Sequence, residues 1–311
     1  MIKGKLYTPQ TNLEMLKVHK ISKSQAWQRT GRAGRESDGI CYRIFTEDEY
    51  NSMPLNTIPE ILRSNLSSVA LQLIALGIND IINFDFMSKP SNECLEAALN
   101  DLELLGAIRK QILETNAPPE NGIQTNKKQK LTNTNYELTD IGKKMSQFPL
   151  DPKLSRCILA AESLNCVEDI LKIVSVLSVE NIFHHNLSIL TNNNKRDQAQ
   201  IIRQKFSSAD GDHISLLNVF KAFSANKHSK EWCLENMLDF KNLKLSVEIC
   251  KQLREICSRS HVNISLTNSS SRTQDTVNIR RSLIAGFFLN AAEYQKENEY
   301  KTVRFFILNS S

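Results

Sequence analysis

Apolar positions near the start alternate with polar ones. Tyr7 leads into the turn-rich run Pro9-Gln10-Thr11-Asn12, and Leu13, Met15, Leu16 and Val18 give a strand-like return, so a hairpin is expected. Ser22 with Gln25 three residues on forms a capping-box pattern that opens a helix. The β-rich run Gly39-Ile40-Cys41-Tyr42-Arg43-Ile44-Phe45 predicts a strand. From Pro59 the period becomes helical. Ile61, Leu62, Leu66, Val69, Leu73 and Ile74 fall on one face, and Gly77 stops the run. A second helix is predicted from Ser91 to Leu105, with the stripe Leu95, Ala98, Leu99, Leu102 and Leu105 and Gly106 after its end. Ala107-Ile108 begins a short strand and Tyr136-Glu137-Leu138 returns it. Between them Glu114 to Asn135 is too polar to build a core and reads as a mobile loop. Two helices, a strand, a long loop and a strand suggest a winged helix with an enlarged wing.

The stretch from Asp151 to about Ser260 reads as nearly all helical. Asp151-Pro152 is an N-cap followed by proline at the first helical position, and Leu154, Cys157, Ile158 and Ala161 share a face. Ile170, Leu171, Ile173, Val174, Val176 and Leu177 make a more apolar, central helix. After a polar break from Asn186 to Asp197 come a helix through Phe206, a turn over Ser207 to Asp212, and amphipathic helices over Ile214 to Phe223 and Leu243 to Cys257. Asp212 reads as the N-cap for Ile214 onward. The polar run Thr267 to Thr276 marks a boundary, Ile279 to Ala292 is helical again, and Tyr294 to Phe306 reads as strands. The fold class is therefore mainly α with short β.

Composition narrows the function classes. The chain has 311 residues, 41% hydrophobic and 23% charged, and no long uncharged apolar run. Seven cysteines are scattered without a Cys-x-x-Cys pair, which points to packing thiols in a reduced compartment and away from a disulfide or zinc framework. The six histidines show no ligand spacing, and His184-His185 reads as loop, so no metal site is expected. A net charge of +5 permits nucleic-acid binding without requiring it. Lys127-Lys128-Gln129-Lys130 is a weak nuclear-signal pattern, Glu47-Asp48-Glu49 a solvated charge run, and Trp27 and Trp232 read as core residues. The helix Ser91 to Leu105 carries Glu93, Glu96, Asp101 and Glu103, which argues against its reading a DNA groove.

The run that carries chemistry is Gln28-Arg29-Thr30-Gly31-Arg32-Ala33-Gly34-Arg35. On a helix continued from Ser22, Gln28, Arg32 and Arg35 are spaced i, i+4, i+7 and project from one face, with Arg29 on another. Gly31 and Gly34 thin that face for close approach. Guanidinium groups match phosphate oxygens with paired hydrogen bonds and keep their charge. Toward a transferring γ-phosphoryl group they act as fingers that stabilise transition-state charge, while a glutamine orients water or binds the phosphate. The bland alternative is a basic surface face or an RNA-phosphate contact.

This run resembles motif VI of superfamily 2 helicases in its DEAH-box form. Lys5-Leu6-Tyr7 through Lys20 is similar to the hairpin that precedes it in the second RecA-like lobe. Ile58-Pro59-Glu60-Ile61 through Gly77, with Phe84-Asp85-Phe86 and Pro90, resembles the family's winged helix, and Leu138-Thr139-Asp140-Ile141-Gly142 with Phe148-Pro149-Leu150-Asp151-Pro152 its exit. Gly211-Asp212-His213, Leu216-Leu217-Asn218, Trp232-Cys233 and Gln252-Leu253 resemble the helical ratchet domain. Ile279-Arg280-Arg281 and Gly286-Phe287-Phe288 are similar to the start of the OB-fold. The likeness runs from Lys5 to about Arg304. The runs Tyr7 to Arg35 and Phe84 to Ser91 are nearest to a nucleolar, ribosome-biogenesis branch.

The resemblance implies four segments: residues 1–50, the end of the second RecA-like lobe; 51–150, the winged helix; 151–276, the ratchet-type bundle; and 277–311, the beginning of a truncated OB-fold. It implies ATP with Mg as cofactor, contacted at the γ-phosphate by Gln28, Arg32 and Arg35. RNA would be the partner, a glycine-rich-patch protein the activator, and nucleus or nucleolus the location, with cytoplasm second. The sequence holds no Gly-x-x-x-x-Gly-Lys-Ser/Thr and no Asp-Glu-Ala-His, so metal ligands and phosphate loop are not in this chain. We therefore expect a fragment or partial gene model, inactive alone. The alternatives are an ATP-independent winged-helix and helical module that binds RNA or protein, and an inert truncated product.

Overall fold

The computed structural model describes residues 2–11, 13–112, 134–183, 200–264, 272–295 and 299–302. They divide into two compact units, Met1–Glu103 with Lys110–Glu137, and Leu104–Arg109 with Leu138–Ser311.

In the first unit, β1 (Ile2–Thr8) and β2 (Leu13–His19) form the expected antiparallel hairpin, in register from Ile2↔His19 to Thr8↔Leu13. The part of β1 nearer the turn is held by Arg63. The Tyr7 amide donates to the Arg63 carbonyl at 2.9 Å and the Arg63 guanidinium donates to the Lys5 carbonyl at 3.0 Å. The helix α1 (Lys23–Thr30) begins with the predicted capping box between Ser22 and Gln25, and a second box, Thr46 with Glu49, opens α2 (Glu47–Asn51). Glu49 thus has a structural task inside the acidic run.

Two predicted elements differ. No strand forms over 39–45; Ile40, Tyr42 and Ile44 are exposed there, because strand propensity is realised only against a neighbouring strand. The helix foreseen from Pro59 is split into a 3₁₀ turn (Glu60–Leu62) and α3 (Ser67–Ala75). Asn65 Oδ1 accepts the Ser67 amide at 2.8 Å and restarts the helix. The buried face of α3 is then Ala70, Leu71 and Ile74 with Leu66 just before it, while Val69 is exposed. Gly77 ends it at φ +89°, a left-handed conformation that suits glycine. Helix α4 (Asn92–Leu104) buries all four of its predicted stripe residues, Leu95, Ala98, Leu99 and Leu102; Leu105, just past its end, is buried too, and Gly106 follows at φ +73°. The strands β3 (Ile108–Ile112) and β4 (Thr134–Leu138) pair. Apart from 134–135, the polar loop lies outside the described residues, as do the lysine-rich run, His184-His185 and the break at 186–197.

The second unit is helical. It comprises α5 (Asp140–Met145), α6 (Pro152–Ser163), α7 (Val167–Leu177), a short helix over 200–204, α8 (Asp212–Ala225), α9 (Lys230–Glu235), α10 (Phe240–Arg259) and α11 (Arg272–Phe287). A 3₁₀ turn (Phe288–Asn290) leads to the small hairpin β5 (Ala292–Tyr294) and β6 (Tyr300–Thr302). Asp151 caps α6 through the Lys153 amide at 2.8 Å, with Pro152 at the first turn, as predicted. The central helix is α7, which packs against α6, α8, α10 and α11. Its Ile170, Leu171, Ile173 and Val174 are fully buried, each contributing roughly 1.5–3 kcal/mol. Its polar edge anchors an ion network: Arg254 to Glu168 at 2.6 Å, Lys172 to Asp169 at 3.3 Å, and Lys221 to Asp169 at 3.0 Å.

Helix α11 reaches back to Arg272, before the expected start at Ile279, and packs on α6 where Gly286 meets the Lys153 carbonyl; the polar boundary run overlaps it. Asp212 is not an N-cap. Gly211 holds that position at φ +112° without a side-chain cap, and Asp212 stands in the first turn. Trp232 packs as predicted, edge-on to Phe206 at 5.9 Å.

Candidate functional site

The motif residues surround the end of α1. Ser22, fully buried, accepts the Gln25 amide at 3.2 Å, and the Lys23 and Ser24 amides reach the Pro54 and Leu55 carbonyls at 2.9 and 3.0 Å. The helix stops at Thr30, so a continuous face carrying Gln28, Arg32 and Arg35 does not form. Beyond it the chain makes two further turns of i→i−3 type, Arg32 N to Arg29 O at 3.2 Å and Ala33 N to Thr30 O at 3.0 Å. Three features end the helix there. Gly31 and Gly34 are poor helix formers. The Thr30 hydroxyl bonds back to the Ala26 carbonyl at 3.0 Å. Gly39 folds onto the turn so closely that a Cβ would collide with the Ala33 carbonyl, which requires the chain to reverse after Arg35.

Gln28 therefore lies on the last helical turn, Arg32 just past it, and Arg35 beyond both turns. All three are exposed. Among the described residues neither Arg32 nor Arg35 has an ion pair, so two permanent cations stand without a carboxylate partner. Gly34 has nothing within 4 Å on its Cβ side, leaving space for a ligand to approach. Two guanidinium groups and a carboxamide fit the oxygens of a phosphate. Among the described residues no group of three or more His, Cys, Asp or Glu stands ready to hold a metal ion.

Trp27 corrects the core reading. It is 63% exposed, with the Arg43 guanidinium 5.7 Å from its ring. Arg43 lies 4.6 Å from the Tyr50 ring as well, and donates to the Thr30 hydroxyl at 3.4 Å. Sequence reasoning missed this residue. The alternation over 41–45 was the available signal, since it puts Cys41, Arg43 and Phe45 on the side opposite Ile40, Tyr42 and Ile44.

The chain matches two family profiles, the winged-helix part of the helicase-associated domain over residues 98–150 and its ratchet-like part over 151–216. It is 43% identical over 302 residues to the ATP-dependent RNA helicase DHX33 of Mus musculus, 42% to that of Homo sapiens and 38% to that of Drosophila melanogaster. Each alignment covers 97% of this chain and 38–39% of the relative, so the chain spans about two fifths of their length. Both helicase-associated parts, and this identity along almost its whole length, support reading the chain as a C-terminal portion of a DEAH-box helicase of the DHX33 type.

Proposed function

We propose that this chain is the arginine-finger and RNA-gripping part of an ATP-dependent RNA helicase. Residues 1–50 close the second RecA-like lobe, 51–150 form the winged helix, 151–276 the ratchet-type bundle and 277–311 begin an OB-fold. Gln28, Arg32 and Arg35 contact the ATP γ-phosphate, while Mg and the phosphate loop are held by a lobe outside this sequence. The observation that carries the reading is the pair of exposed, uncompensated arginines at a glycine-bounded turn. It is supported by the relatives, which are ATP-dependent RNA helicases. RNA bound by such a channel is held through its backbone and is salt-sensitive. A glycine-rich-patch activator, nucleolar location and a role in ribosome biogenesis complete the proposal.

The test begins with the transcript upstream of Met1. If an open frame supplies a phosphate loop and Asp-Glu-Ala-His, Arg32→Ala in that longer protein lowers RNA-stimulated ATP hydrolysis by roughly 10³-fold or more, the scale of an arginine finger. The chain alone hydrolyses no ATP. An in-frame stop without such a lobe overturns the reading and leaves an ATP-independent RNA- or protein-binding module.

A further inference from the structure

The turn that carries Arg32 and Arg35 grows from a helix with little hold on its surroundings. Helix α1 buries only Ala26, and Trp27, Gln28 and Arg29 are all exposed. The helix start is fixed, by the Ser22 cap and by the Pro54 and Leu55 carbonyls. The helix end is closed by local bonds, Gly31 N to Trp27 O at 3.0 Å, Arg32 N to Arg29 O at 3.2 Å and Ala33 N to Thr30 O at 3.0 Å, and such a terminal turn opens more easily than a helix start anchored to another segment.

Arg43 contacts this end by two routes. Its guanidinium lies over the Trp27 ring of α1 at 5.7 Å and over the Tyr50 ring of α2 at 4.6 Å. Its Nη2 donates to the hydroxyl of Thr30, the last helical residue, at 3.4 Å, and that hydroxyl donates to the Ala26 carbonyl. Tyr50 is held in turn by stacking on Phe45, with the rings 8° from parallel, and by the Lys23 ammonium 5.6 Å from its centroid. A planar guanidinium stacks on rings while donating in its own plane, which an ammonium cannot do. A cation beside the carbonyl end of α1 also meets the favourable end of the helix dipole.

We propose that Arg43 is a positioning residue for the arginine-bearing turn. It ties the end of α1 to α2 and so sets where Arg32 and Arg35 present their charge. The inference rests on the reading of those arginines as γ-phosphate contacts. In this reading Arg43 acts through Trp27, Tyr50 and Thr30.

Two measurements test it. In the full chain with Trp232→Phe, Trp27 is the sole indole, and Arg43→Gln shifts its emission and raises its acrylamide quenching; an unchanged signal overturns the contact. In the full-length protein that carries this chain, Arg43→Gln lowers kcat about tenfold, a modest part of the ~10²-fold that a misplacement of 1 Å can cost. KM for ATP, RNA affinity and the unfolding midpoint stay unchanged. Arg43→Lys keeps the charge and recovers only part of kcat. An unchanged kcat beside an inactive Arg32→Ala control overturns the positioning role alone. An active Arg32→Ala protein overturns the finger reading and this inference with it. If Arg43→Gln does not fold, Trp27→Leu removes one ring, leaves every charge in place, and must show the same loss in kcat.

Discussion

Gly286→Ala sets two physical effects against each other. In a helix interior alanine is favoured over glycine by about 1 kcal/mol, so propensity alone predicts a more stable chain. Gly286, however, sits in the last turn of α11 where that helix crosses α6. A Cβ there would collide with the Lys153 carbonyl oxygen, lie 3.1 Å from its carbon, and meet Cys157 Sγ at 2.5 Å. The first obstacle is backbone in the first turn of α6 and cannot rotate away. Relief requires α11 to retreat by on the order of 1 Å toward a contact near the ~3.5 Å optimum. That loosens the Cys166 Sγ···Ser282 Oγ contact at 3.1 Å and the packing of buried Ile279 and Leu283. Overpacking of this kind costs about 1–3 kcal/mol and exceeds the propensity gain. Urea unfolding followed by Trp232 emission, in a Trp27→Phe background so that only the second unit reports, should show a midpoint lowered by roughly 1 M for a slope of about 1–3 kcal/mol/M. Ala285→Gly, one position earlier, measures the propensity effect by itself. A Gly286→Ala chain as stable as the parent, or more so, would refute the close crossing of α6 and α11.

Buried thiols and a helix cap give two further expected outcomes. Burial pushes the Cys157 thiol up to about 12 and those of Cys233 and Cys257 to about 11. The folded chain keeps these protons where the unfolded chain releases them near ~8.5, so the stability they contribute is full below that pH and is lost as pH rises toward 11–12. The thermal midpoint should therefore fall between pH 8.5 and 10.5, and less steeply in Cys157→Ala; parallel slopes would refute the assignment. Ser22→Ala removes the acceptor of the Gln25 amide and should cost roughly 0.5–2 kcal/mol, read as faster hydrogen exchange confined to the amides of α1.

What was legible in the sequence was local chemistry that needs no distant partner. The Ser22-Gln25 box, the Asp151-Pro152 start and the stripe of α4 were all readable because cap and face are encoded within a turn or two. The misses needed tertiary knowledge. The 39–45 run has strand composition, but among the described residues no strand pairs with it, and Ile40, Tyr42 and Ile44 are exposed. The break before α3 depends on Arg63 turning its guanidinium to the hairpin carbonyl of Lys5, a partner 58 residues away. Asp212 carries the composition of an N-cap, yet the positive φ of Gly211 moves the cap one residue earlier.

The candidate residues were read from a helical face that does not form. The expected helical face i, i+4, i+7 would fix Gln28, Arg32 and Arg35 by the rigidity of one helix. The glycines that made the motif recognisable are also what end that helix at Thr30. Rigidity must then come from outside the motif, and two features supply it. Gly39 lies against the Ala33 carbonyl and fixes the reversal after Arg35. Arg43 fixes the helix end through Thr30 and Trp27. A motif read as eight consecutive residues is thus a unit that extends to at least Tyr50. Substitutions at Gly39 and Arg43 should alter the presentation of Arg32 and Arg35 although neither residue belongs to the eight-residue run.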